Sequence, residues 1–184
     1  MQSRVILDSK KLQLTIDRLC YQIVETHKDF KNACIIGVQP RGVLFADRLV
    51  KRLQHLFPNY TIPYGKLDIT FYRDDFRRAD KAFSPSVTDI TFSLENKNVI
   101  LVDDVLYTGR TIRSALDALM DFGRPNDVEL VVLIDRRLQR HVPIQAKYVG
   151  KTIDSINSEK VKVYWQETHE EDKVELIAHT DKPL

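Results

Sequence analysis

Cysteine is scarce. Cys20 and Cys34 are the only two among 184 residues, and they form neither a Cys-x-x-Cys pair nor a Cys/His cluster. A disulfide framework and a zinc site are therefore not expected. Six glycines and seven prolines exclude a collagen-like or linker-like chain. Charge of one sign is also missing: 28 Lys and Arg against 26 Asp and Glu leave +2. Nucleic-acid binding would then have to use a local patch rather than the whole surface. The longest all-aliphatic runs, Val99–Val102 and Leu130–Ile134, fall far short of the roughly 20 residues that cross a bilayer. The opening MQSRVILDSKKLQ reaches charge before a signal core could form, so a cytoplasmic protein without membrane contact is expected.

What is present is enough apolar chain, 43% of residues, to bury the core of a single domain over residues 1–184. No repeat, low-complexity tract or linker divides it. Leu7 to His27 predicts a first helix, with Asp8 or Ser9 as cap and Leu12, Ile16, Leu19 and Ile23 on one face. Ala33–Val38 predicts a strand, a Gly/Pro turn comes next at Gln39–Gly42, and Val43 to His55 again has helical spacing. Ile62–Phe71 predicts another strand region, after which Tyr72–Asp89 turns polar and loses its period, as functional lids or disordered segments do. Val99–Val102 predicts a central strand buried on both faces. Thr111 to Phe122 predicts a helix stopped by Gly123 and Pro125. Leu130–Ile134 predicts a further buried strand, and Lys160–Trp165 with Val174–His179 an antiparallel hairpin. The class is α/β, with a mainly parallel sheet flanked by helices.

The stretch VILVDDVLYTGRT, Val99 to Thr111, carries the chemistry. A buried strand ends in Asp103 and Asp104, and a small-residue turn leads into a helix, the place where open α/β sheets bind ligands. At a helix start, backbone N–H groups are unpaired and the dipole favours an anion. Gly109 allows close approach, and the hydroxyls of Thr108 and Thr111 add donors. The turn lacks both GxxxxGK[ST] and GxGxxG, so neither an NTPase loop nor a dinucleotide fold is supported. Carboxylates repel phosphate but accept well from sugar hydroxyls, so the whole unit suits a ribose phosphate. Taken alone, the two acids would read as solvated strand-end groups.

VILVDDVLYTGRT resembles the phosphoribosyl-diphosphate (PRPP) signature of type I phosphoribosyltransferases, in nearly the form carried by the PyrR family. LDITFYRDD (Leu67–Asp75), ALDALMDFGRP (Ala115–Pro125), LVVLIDR (Leu130–Arg136) and PIQAKYVGK (Pro143–Lys151) resemble PyrR segments in the same order. Members of that family are uracil phosphoribosyltransferases that also regulate the pyrimidine operon. The resemblance implies the type I phosphoribosyltransferase fold, with a flexible hood at about residues 70–95 and a C-terminal hairpin at about 160–180. It implies a nucleotide-binding set of Val99, Ile100, Leu101, Val102, Asp103, Asp104, Val105, Leu106, Tyr107, Thr108, Gly109, Arg110 and Thr111, with Pro40, Arg41 and Gly42 from the diphosphate loop GVQPRG. Its catalytic members would be Arg41, Asp103, Asp104 and Arg73. Tyr72–Arg73–Asp74–Asp75 would begin the hood. Mg²⁺ would bind indirectly, through Asp103 and Asp104 together with PRPP.

Where purine-salvage relatives carry a carboxylate, this chain has Tyr107, a ring expected to line the pocket, which favours a pyrimidine. Implied partners are PRPP, uracil, UMP or UTP, and a pyrimidine-operon leader RNA, with a homodimer or homotetramer as the assembly. RNA contacts would come from Arg18, Arg136, Arg137, Arg140 and His141. Here the chain departs from the family: it reads DR-RLQRHV-PIQ from Asp135 to Gln145, one residue longer than the usual DR-GHREL-PIR. The alternatives are a nucleotide-responsive RNA regulator with negligible catalysis, and a phosphoribosyltransferase for another base.

Overall fold

The computed structural model describes residues 2–74, 85–156 and 158–178. In chain order these form β1 (Gln2–Leu7), α1 (Ser9–His27), β2 (Ala33–Val38), α2 (Arg41–Leu56), β3 (Tyr64–Leu67), a 3₁₀ turn at Thr70–Tyr72, β4 (Asn98–Leu106) and α3 (Arg110–Leu119). After a second 3₁₀ turn at Met120–Phe122 come β5 (Asp127–Arg137), β6 (Tyr148–Asp154), β7 (Glu159–Tyr164) and β8 (Lys173–Ala178). Two sheets result. The larger has the order β3-β2-β4-β5-β6 and is parallel throughout. The smaller, β1-β8-β7, is antiparallel. The α/β architecture with a parallel central sheet is as expected from the sequence.

Alternation along the strands decides which core each residue enters. Ile35, Ile100, Val102, Val131 and Leu133 face α1 and α2, and this layer also takes in Val161, Val174 and Leu176 of the small sheet. Cys34, Ile36, Val99, Leu101, Leu130 and Val132 face α3. With a helix layer on each side, β4 is sealed on both faces, and its VILV run has no exposure.

Three expectations need correction. The first helix begins at Ser9, because Leu7 closes β1 and pairs with Val174; Asp8 caps it by accepting the Lys11 N–H at 2.8 Å. The 62–71 region is a strand only over Tyr64–Leu67. Just beyond it, Asp68 Oδ1 accepts from the N–H and the hydroxyl of Thr70, at 3.0 and 2.6 Å. That local bonding competes with the ladder and folds a 3₁₀ turn. The third helix keeps α-geometry only to Leu119 before tightening. The hairpin forms as β7 and β8; its outer positions His179 and 180, and Asp75 of the hood, lie outside the described residues.

Candidate active site

Parallel strands β2 and β4 end side by side, and the turns leaving their carboxyl ends build the site. β4 places Asp103 and Asp104 at its carboxyl end with only 6% and 7% of their surfaces exposed. The Asp104 N–H donates to Asp103 Oδ1 at 2.9 Å. Burial, reinforced by the neighbouring Asp104 charge, pushes the Asp103 carboxyl well above its usual range. Burial raises Asp104 as well, against the opposing pull of Arg41. Two buried carboxylates side by side are held by backbone N–H groups and by the Arg41 charge.

Beyond β2 the chain turns through Gln39 and Pro40 into α2. Gln39 is fixed by its N–H to Leu67 O at 2.9 Å and by its amide to Val87 O at 2.7 Å. Arg41 opens the helix. Gly42 comes next for a steric reason: a Cβ there would lie 2.5 Å from the Val102 carbonyl and 2.9 Å from Asp103 Cα. The absent side chain lets α2 come against the carboxyl end of β4.

After β4, the Tyr107–Gly109 turn enters α3 with Gly109 at φ 88°, a left-handed conformation that glycine adopts without steric penalty. Thr108 Oγ1 accepts the Arg110 N–H at 3.4 Å. The carbonyl of Thr108 is held from outside by the N–H groups of His141 and Val142, at 2.9 and 3.2 Å.

These pieces surround a cavity of about 1000 Å³ lined by Gln39, Pro40, Arg41, Arg73, Asp103, Asp104, Val105, Tyr107, Thr111 and Arg136, with Ser158 to Val161 from β7 and the residue before it. Arg41, Arg73 and the acidic pair thus share one space. Among the described residues, no group of three or more His, Cys, Asp or Glu could hold a metal ion.

Several residues of the expected set stand elsewhere. Val99, Ile100, Leu101 and Val102 are core, each without exposure, and Leu106 is 1% exposed. Central-strand side chains support a ligand site without touching it. Thr108, Gly109 and Arg110 border the cavity wall through Tyr107 and Thr111 rather than lining it. Arg110 turns to Asp74 at 2.8 Å, joining α3 to the limb that leaves the 3₁₀ turn. Tyr72 donates its hydroxyl to Asp121, a bond that raises its pKa.

The residues expected for RNA are placed as follows. Arg136 is 5% exposed and belongs to the cavity. Its guanidinium lies 3.9 Å from the Tyr107 ring centroid and donates to Ser155 Oγ at 2.9 Å and to Glu159 O at 2.8 Å. Burial lowers its pKa. Arg140 points inward, to the Tyr107 carbonyl and to Asp135 Oδ1. Arg18, Arg137 and His141 remain at the surface, Arg18 bonded to the carbonyls of Val149 and Gly150 and Arg137 paired with Asp154 at 2.8 Å. The sequence pattern placed Gln39 in the loop without giving it a role, and did not mark residues 158–161 for the site. A period-2 count would have found Arg136, two positions beyond the buried Ile134 on the same strand.

A strand-end acidic pair, a helix-opening turn beside it and an arginine loop on the neighbouring strand are the geometry of a ribosyl-phosphate enzyme. Known proteins agree: residues 3–168 match the phosphoribosyl transferase domain family, to which the chain belongs. Within it the chain is a PyrR-family member. It is 46% identical to the "Bifunctional protein PyrR" of Ligilactobacillus salivarius over 95% of this chain and 98% of that one. It is 43% identical to the protein of the same name from Bacillus cereus, over 95% and 97%. A hypoxanthine phosphoribosyltransferase structure from Staphylococcus aureus shares the fold, with a TM-score of 0.71 at 24% identity, covering 96% of this chain and 93% of that one.

Proposed function

We propose that the protein is a uracil phosphoribosyltransferase, making UMP and diphosphate from uracil and PRPP, and that it also regulates a pyrimidine operon by binding leader RNA when a uridine nucleotide is present. The observation that carries the catalytic part is the buried Asp103–Asp104 pair facing Arg41 across one cavity. In the reaction, N1 of uracil bonds to C1′ of PRPP, the bond from C1′ to the diphosphate oxygen breaks, and the N1 proton leaves. Asp103 and Asp104 accept from the ribose hydroxyls, and their charge favours the positive character that develops on the ring. The Thr108–Thr111 turn receives the 5′-phosphate, and Arg41 faces the departing diphosphate.

Two carboxylates offer hard oxygen ligands suited to Mg²⁺, but too few to hold it alone. Asp103 and Asp104 would hold an ion that arrives with PRPP. Bound there, it would offset charge on the leaving group.

The base lies against Tyr107 and Arg136, with Val105 and Val161 as apolar walls. A guanidinium held by neutral oxygens suits the carbonyl groups of a pyrimidine. Arg73 and the limb tied down by the Asp74–Arg110 pair form the near edge of a hood that excludes water during transfer. RNA contact falls to Arg18, Arg137 and His141. A homodimer or homotetramer in the cytoplasm completes the proposal.

The test is a base screen with PRPP and Mg²⁺. Uracil yields UMP, whereas hypoxanthine, guanine and orotate yield none; no UMP above the no-enzyme control overturns the catalytic reading. A gel shift with the leader RNA of the host's own pyrimidine operon tests regulation, and binding that is absent or indifferent to UMP overturns it.

A further inference from the structure

The end of β4 leaves two carbonyls, those of Tyr107 and Thr108, beyond the last rung of the β4–β5 ladder at Leu106 and Asp135. Three consecutive residues of the segment after β5 take them up. Arg140 donates to the Tyr107 carbonyl, and the N–H groups of His141 and Val142 donate to the Thr108 carbonyl. The other arm of Arg140 reaches Asp135 Oδ1 at 2.5 Å. With side chains 23% and 15% exposed, the ion pair is largely shielded and locks the segment to the end of β5. Ile144 of the same segment packs where a Gly109 Cβ would point, 3.3 Å away.

Peptide planarity carries this geometry over to the ligand side. In a trans unit the carbonyl of residue i and the N–H of residue i+1 point in opposite directions. Holding the carbonyls of Tyr107 and Thr108 against residues 140–142 therefore directs the N–H groups of Thr108 and Gly109 away from that segment, as an anion cradle at a helix start requires.

We propose that Arg140 is a positioning residue for the phosphate turn: by bridging Asp135 and the Tyr107 carbonyl, it holds in place the backbone that receives the 5′-phosphate. This rests on reading the turn as a phosphate site. A cation that would otherwise be counted toward RNA is committed to the active site instead.

Calorimetric titration of Arg140→Ala and Arg140→Lys with ribose 5-phosphate, UMP and uridine tests it, together with steady-state kinetics in PRPP. Losing a charged hydrogen bond to the turn is expected to weaken ribose 5-phosphate, UMP and the KM for PRPP by about tenfold. Uridine, which lacks the phosphate, binds Arg140→Ala as it binds the wild type, and kcat changes less than KM. Lysine, which keeps the charge but reaches one acceptor at a time, recovers part of the loss. Unchanged phosphate-ligand affinity in Arg140→Ala, or an equal loss for UMP and uridine, overturns the role. A wild-type protein that binds ribose 5-phosphate but makes no UMP overturns the uracil reading alone; loss of the sugar phosphate in Arg140→Ala then still supports the role of Arg140.

Discussion

Adding one methyl group at Gly42 tests the geometry of the site more sharply than deleting any charge. In Gly42→Ala the new carbon would start 2.5 Å from the Val102 carbonyl oxygen and 3.1 Å from Asp103 Oδ1. An ordinary carbon–oxygen contact is about 3.3 Å or more, so α2 and the end of β4 must part by roughly 0.8 Å. The Val102 carbonyl and Asp103 Cα are backbone and cannot swing away. Overpacking of this kind costs about 1–3 kcal/mol, and alanine's better helix propensity returns about 0.5–1 kcal/mol. A net loss of up to about 2.5 kcal/mol lowers Tm by up to roughly 10 °C in a domain of this size. Activity suffers more. The same opening moves Arg41 relative to Asp103 and Asp104, and a displacement near 1 Å can reduce a rate by about a hundredfold. Calorimetry gives Tm, and UMP formation at 25 °C, where the variant is still folded, gives kcat. A variant with wild-type Tm and wild-type kcat would refute the claim that this glycine sets the spacing of the site.

The buried charges lead to other expected outcomes. Asp104→Asn should abolish measurable PRPP turnover without lowering Tm, because it removes a charge that burial disfavours; normal turnover would show the acidic pair to be misassigned. Glu129, buried between His27 at 2.7 Å, Tyr148 at 2.8 Å and Lys147, should cost about 2–3 kcal/mol when changed to Ala, since His27 and Tyr148 lose their acceptor; urea unfolding measures it. Burial pushes the Glu129 pKa up, but the bonds from Lys147, His27 and Tyr148 outweigh it, so its pKa is held below the usual carboxylate value. Its stabilisation is thus complete above about pH 5 and lost as pH falls through the lowered value. The stability difference between wild type and Glu129→Gln should therefore shrink below about pH 4, and a pH-independent difference would contradict the assignment.

Much of the fold was legible in the sequence. The VILV and LVVLI runs are apolar on both faces because they lie between two helix layers, and the 3.6-residue periods of the helices survive because each helix buries one stripe. β1 and β6 were not legible. β1 is an edge strand of the small sheet and β6 of the large one, so each carries polar residues and, in β6, a glycine where a central strand would be aliphatic. The acidic pair and the helix-opening turn are contiguous in the chain and could be read there. The far wall could not. Ser158 to Val161 reach the cavity only because β7 pairs with β8, and Arg136 because it lies on the inward face of β5. Arg140 shows the same limit: a loop cation looks solvated until the carbonyls it answers are known.

The pairing of the first strand with the last carries one more implication. Gln2 lies across from Ala178 and Leu7 across from Val174, and β7, which walls the cavity, has β8 as its neighbour in that sheet. Trimming the opening six-residue ribbon would therefore slacken a cavity wall built at the opposite extreme of the polypeptide.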